Sequence, residues 1–266
     1  MACCRNRRKI INKVDIQVEN RNRFEPGRLL LTLAVLFSTA LVAHAAVNPN
    51  IEGVWKLEPP HAALVPERGE IPFTDQGRKE YDDNKASAAK GDYSFDRTET
   101  RCSSPGLPRL MLTPKLIKIY RRPQMVAILF EWNRLLRQID LRQGAQKLPN
   151  PMEEGVSTGG GDVGTAKGET TGKWEGDVLI AHSSKFSDQK LLDEFIPNSE
   201  DLELTEHIRL KDRNTLEDRI TIQDPQYFTR PWDTVLIYKR QPEALFPFHE
   251  DVCLDRKSAG ELPLPR

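Results

Sequence analysis

Metal-ligand spacings, nucleotide-binding loops and basic stripes are all missing from this chain, and each absence removes a class of function. The 266 residues include only four cysteines and five histidines. Neither C-x-x-C nor C-x-H occurs, which argues against a zinc site built on cysteine. His182, Glu206 and Glu169 share no recognisable ligand spacing either, so no metal is expected. The glycine run Gly159-Gly160-Gly161 is followed by no Lys-Ser/Thr pair and no helix start, so it reads as part of a polar loop, Gly144–Gly172, and not as a phosphate cradle. No other nucleotide motif occurs, and no cofactor is implied. Basic and acidic side chains balance at 39 each, but unevenly: residues 1–28 carry eight Lys/Arg against three acids, which leaves the rest acidic by about five charges. An acidic body without clustered Lys/Arg argues against nucleic acid as a partner. The continuous apolar run Leu29–Val42 has 14 residues, short of the roughly 20 that span a bilayer as a helix.

What is present begins with that run. A basic segment, a short apolar core and Ala43-His44-Ala45 form the pattern of a secretory signal with an A-x-A cleavage site. The expected division is residues 1–45 as basic leader plus signal peptide, or as an uncleaved N-terminal anchor, and residues 46–266 as one domain. The domain is then exported to the periplasm, or faces it from the inner membrane. Only the N-terminal segment, if uncleaved, would touch a membrane. Cys3 and Cys4 depart with a cleaved signal. Cys102 and Cys253 remain, either as one disulfide in an oxidising compartment or as two unpaired thiols.

Strand signals dominate the domain. Thr171–Phe186 carries the clearest hairpin: Gly176 permits the positive φ of a tight turn, Asp177 caps it, and Trp174 stands before it as an apolar anchor. The return run Val178–Ala181 is too apolar for an exposed strand. Ile51–Leu57, Leu116–Tyr120, Met125–Trp132, Leu135–Arg142, Leu202–Leu210, Thr215–Gln223 and Trp232–Arg240 add further strands. Phe73–Lys90 is the one helical candidate, with Thr74 or Asp75 as N-cap and Gly91 beyond its end; its thin apolar face places it on the surface of the sheet. Eight or nine strands with short connections predict a mainly β fold, a single antiparallel barrel, closed or nearly closed.

Four motifs occur in order: C-x-x-P-G-x-P-R-x-M at Cys102–Met111, G-x-W-E-G-D-x-L at Gly172–Leu179, N-S-E-x-L at Asn198–Leu202, and D-P-x-x-x-x-x-P-W at Asp224–Trp232. With the Val252-Cys253 tail, they resemble a largely uncharacterised family of exported bacterial proteins over most of Ile51–Asp255. The resemblance implies a lipocalin-like barrel and an export compartment, and no activity. This chain departs from the family pattern at Glu169, where G-H-S is usual before the tryptophan. It departs again at His182 in place of an aspartate and at Asn198 in place of a histidine, so a polar site shared by the family is altered here.

Strand alternation assigns inward-facing polar groups. Glu206 shares a face with Leu204, Ile208 and Leu210. Asp218 shares one with Leu216, Ile220 and Ile222, and pairing Leu210 with Leu216 sets Asp218 diagonal to Glu206. Arg137 accompanies Leu135, Ile139 and Leu141; His182 accompanies Val178 and Ile180. Buried charges need partners, and an Arg137–Glu206 pair supplies them. Such a pair either braces the barrel or sits at the base of an apolar pocket, where Arg137 would hold a ligand carboxylate while Glu206, His182 or Asp218 moves a proton. Trp174 and Tyr238 are candidate walls for an aromatic ligand, or simply core. Three functions stay open: a cofactor-independent, decarboxylase-like lyase acting on a small apolar or aromatic carboxylic acid, a non-catalytic carrier of a small hydrophobic ligand, and an envelope structural or interaction protein.

Overall fold

The computed structural model describes residues 49–142, 167–187 and 191–265. Nine strands run in chain order around a closed barrel. They are β1 (Gly53–Leu57), β2 (Leu116–Arg122), β3 (Met125–Phe130), β4 (Leu136–Asp140), β5 (Glu169–Glu175), β6 (Val178–Ser184), β7 (Glu203–Asp212), β8 (Thr215–Gln223) and β9 (Trp232–Gln241). Strand β9 closes the ring on β1, pairing Leu57 with Tyr238 and Trp55 with Arg240. Closure gives each described strand a neighbour on both sides, β4 and β5 touching at one residue pair. The signal and anchor expectations, and residues 144–166 of the expected polar loop, lie outside the described residues. The loop is shorter than expected, because Glu169–Gly172 belong to β5.

The sheet is mixed, which corrects the purely antiparallel expectation. Strands β4 and β5 pair in parallel at Asp140 and Thr171, while every other neighbouring pair is antiparallel. A tight hairpin can join only antiparallel neighbours, whereas a parallel pair needs a connection of a dozen residues or more. The stretch between Asp140 and Glu169 is long enough for such a crossover, and the one between Ser184 and Glu203 is long too but joins an antiparallel pair.

Local chemistry explains the turns. The β5–β6 turn is Gly176-Asp177, with Gly176 at φ +61°. Asn133 and Arg134 both take positive φ, +48° and +50°, between β3 and β4, the conformation that matches the twist of paired strands. Helix α1 (Asp75–Ala88) starts under Thr74, whose side chain accepts from the Gly77 amide, as an N-cap should. Two short helices, α2 (Arg97–Arg101) and α3 (Cys253–Ser258), join it. The single-helix expectation missed them because five or six residues are too few to show a helical period.

The interior is filled from all sides. Trp55, Phe130, Ile139, Leu179, Ala181, Ile220 and Leu236 are buried to 1% exposure or less. A 3₁₀ turn at Arg109–Leu112, buried throughout, adds Leu110 and Met111 to the same core.

Candidate functional site

Three of the residues singled out by alternation, Arg137, Glu206 and Asp218, meet inside the barrel with Tyr238, a candidate wall. Arg137 on β4 donates from Nη1 to Glu206 Oε1 at 2.8 Å and from Nη2 to Glu206 Oε2, a two-pronged ion pair across the interior. Both side chains are only 1% exposed. The register explains the meeting. On β7 and β8, Leu210 pairs with Leu216 and Ile208 with Asp218, so Glu206 and Asp218 point inward as diagonal neighbours. Tyr238, opposite Leu216 on β9, faces the same space and donates its hydroxyl to the Met111 carbonyl at 2.8 Å.

Two further polar groups complete the cluster, and neither was among the expected site residues. Arg137 Nη2 also donates to Ser183 Oγ at 3.2 Å, and Ser183 Oγ lies 2.7 Å from Thr170 Oγ1. The Met111 sulfur accepts from Arg137 Nη1 at 3.5 Å. Ser183 was legible in principle, since it alternates with Leu179 and Ala181, which are wholly buried.

The electrostatics follow from desolvation and pairing. Burial works against the charge of Arg137, but Glu206 and then Asp218 more than restore it, and its affinity for the proton rises. Asp218 lies well above the usual carboxylate range because it is buried and because Glu206 stands beside it; Arg137 offsets only part of this. Burial also lifts the Tyr238 phenol well above its ordinary value. Tyr238 is therefore neutral near pH 7, and Asp218 is displaced toward its protonated form.

His182 was expected on the inner face and lies outside. Leu179, Ala181 and Ser183 are the inward residues of β6, while His182 is exposed, 3.5 Å from Thr205 Oγ1. Val178 and Ile180 make the outer face apolar too, so hydrophobicity alone gave the wrong phase. Trp174 keeps to the inner side, opposite Leu179, but four residues along β5 from Thr170, about 13 Å by strand rise. There Arg121 stacks on its ring at 5.0 Å. Glu169 forms a surface ion pair with Lys185 at 2.9 Å. Asn198 is buried in a loop and donates to the Ser187 and Ser199 carbonyls. None of His182, Trp174, Glu169 and Asn198 is hydrogen-bonded to the Arg137–Glu206 cluster.

Several motif residues act as braces. Cys102 and Cys253 form a disulfide with Cα atoms 5.8 Å apart. Arg109 is 3% exposed and donates to Asp96 at 2.7 Å, a second internal ion pair. The N-S-E and D-P motifs meet: Asp224 accepts from the Ser199 amide at 2.7 Å, the Ser199 hydroxyl at 2.8 Å and the Gln226 amide at 3.2 Å. Asp224→Ala leaves those buried donors empty and is expected to cost about 2–3 kcal/mol in urea unfolding. A loss below about 0.5 kcal/mol would remove the corner's structural role.

Two recesses on the described surface are lined by other residues. One of about 10 Å³, roughly one water, touches Arg109, Leu112 and Glu194. A shallow cleft of about 560 Å³ lies between Lys56, Lys239, Pro60 and Pro114. A scan against protein-family models finds no match to the chain, and a search of curated proteins finds none either. The interior cluster must be interpreted on its own geometry.

Proposed function

We propose that the chain is a non-catalytic protein of the cell envelope, a braced barrel that works through its outer surface and loops. The observation that carries this reading is that both terminal nitrogens of Arg137 are occupied, with only its Nε left without a partner among the described residues. Both prongs of its guanidinium already grip Glu206, and the remaining contacts go to Ser183 and Met111. A ligand carboxylate entering there would have to displace Glu206 and strand a buried anion, at a cost of several kcal/mol. Export belongs to the same proposal. The Cys102–Cys253 bond supports it, since such bonds persist mainly in oxidising compartments. Membership of the lipocalin-like exported family is proposed with it, supported by the contact between its Ser199 and Asp224 motifs.

One specific observation favours a second reading, the cofactor-independent lyase. Burial and Glu206 raise the proton affinity of Asp218, which is the direction a general acid at neutral pH needs. The two readings separate cleanly. Purified protein is incubated with benzoic, cinnamic and hydroxycinnamic acids, and native mass spectrometry follows protein from a periplasmic extract. The envelope reading expects every acid unconsumed and the bare chain mass. Consumption of an acid that Asp218→Asn abolishes would replace it with the lyase. An acid bound and released unchanged would replace it with a carrier.

A further inference from the structure

Asp218 presents an anomaly that the Arg137–Glu206 pair does not resolve. Its side chain is 1% exposed, and both carboxylate oxygens are buried without a hydrogen-bond donor among the described residues. The groups around it come from several strands. Glu206 stands diagonally across on β7, and Arg137 reaches in from β4 with its prongs on Glu206. Ser183 on β6 is engaged with Thr170 and Arg137. Tyr238 on β9 donates its hydroxyl hydrogen bond to the Met111 carbonyl. Glu217, next on β8, belongs to Arg209 and Lys211, at 2.7 and 3.0 Å. Of these donors only Arg137 Nε has no partner among the described residues, and it does not reach Asp218; the group diagonal to Asp218 is another carboxyl, Glu206. Two ionised carboxylates offer only lone pairs and repel, whereas a carboxylic acid facing a carboxylate makes a strong O–H···O hydrogen bond. Both Glu206 oxygens already accept from Arg137, which leaves the proton to Asp218.

We propose that Asp218 and Glu206 hold one proton between them, as a carboxylic acid donating to a carboxylate, and that this shared proton is an alkali-sensitive latch on the barrel. The latch goes beyond either functional reading and holds for both, because it concerns the folded state and not turnover. Its sign follows from the placement of Asp218. Burial and the neighbouring Glu206 raise its proton affinity in the folded chain. Its contribution is therefore complete below the ordinary carboxylate range near pH 4 and is lost as pH rises through the folded value.

The test uses the full domain with its disulfide intact. Infrared spectroscopy of the wild type at neutral pH is expected to show the C=O band of a buried, protonated carboxyl. The band should disappear in Asp218→Asn, whose amide can still donate to Glu206. Asp193 is a second buried carboxyl with raised proton affinity, caused by burial and opposed by three backbone amides, so Asp193→Asn serves as control and must leave the band in place. Urea midpoints from about pH 5 to about pH 9 should fall for the wild type and stay nearly level for Asp218→Asn. A wild type without a protonated-carboxyl band at neutral pH overturns the proposal, and this holds even if Asp218→Asn fails to fold. Parallel pH profiles for wild type and variant overturn it as well, and so does loss of the band in Asp193→Asn.

Discussion

Replacing Arg137 with methionine is expected to destabilise the barrel by about 3–5 kcal/mol at pH 7, the range for removing one partner of a buried ion pair. The side chain is 1% exposed and is the only cation hydrogen-bonded to Glu206 among the described residues. Without it, two carboxyls remain in a space otherwise lined by Ile139, Leu204, Ile208 and Ile220. Methionine fills most of the arginine stem's volume, so the loss reflects uncompensated charge more than a cavity. Two signatures separate that cause from simple loss of packing. The deficit should shrink as pH falls, because protonation relieves a carboxylate that has no cation. The double variant Arg137→Met/Glu206→Met should recover most of the loss, since apolar replacement of a whole buried pair is often neutral. Urea unfolding of the wild type, Arg137→Met, Glu206→Met and the double variant at pH 5 and pH 8 gives the cycle. A single-variant loss below about 1 kcal/mol would mean that water reaches the pair and that the interior is less dry than its burial implies.

The same pair shows what a sequence can disclose. Glu206 and Asp218 lie on strands with one apolar and one polar face, so alternation fixes which way they point. The hairpin around Arg213 and Asn214 is short, but its length alone would set Leu210 opposite Glu217; a register shift between Leu210 and Asp212 brings Leu210 opposite Leu216. Arg137 was placed by alternation as well. His182 failed because both faces of β6 carry apolar residues, and a period-two pattern has no phase when every position is greasy. Thr170 and Ser183 escaped notice because small hydroxyl residues carry no hydrophobic signal in either direction. The Met111 contribution was illegible for another reason. It comes from a 3₁₀ turn that enters the core through tertiary packing, and no strand or helix period marks such a segment. The parallel β4–β5 pairing belongs with it, since no local feature distinguishes a crossover from a loop. Two α-helices of five and six residues were missed on length alone.

The second large effect is expected from the disulfide. Cys102 ends α2 in a left-handed conformation, φ +54°, shortly before the buried Arg109–Leu112 turn, and Cys253 opens α3 near the C-terminal end. The bond closes a loop with a sequence separation of 151. Constraining an unfolded loop of that size predicts about 5 kcal/mol from chain entropy, and native disulfides commonly deliver about 2–5 kcal/mol. Cys102→Ser/Cys253→Ser should therefore lower the thermal midpoint by roughly 5–15 °C for a domain of this size. The tail has other anchors that temper the loss. The Trp132 indole donates to the Pro263 carbonyl at 2.8 Å, and Asn133 holds both the Cys253 amide and the Asp251 carbonyl at 2.8 Å. If those suffice, the variant will lose less than about 1 kcal/mol and limited proteolysis will not reach the segment after Gln241. If the bond dominates, cleavage there should accelerate on reduction of the wild type to the rate seen in the variant. The result also bears on compartment. A fold that needs this bond can be sustained only where thiols oxidise, and a fold indifferent to it would withdraw the structural support for export.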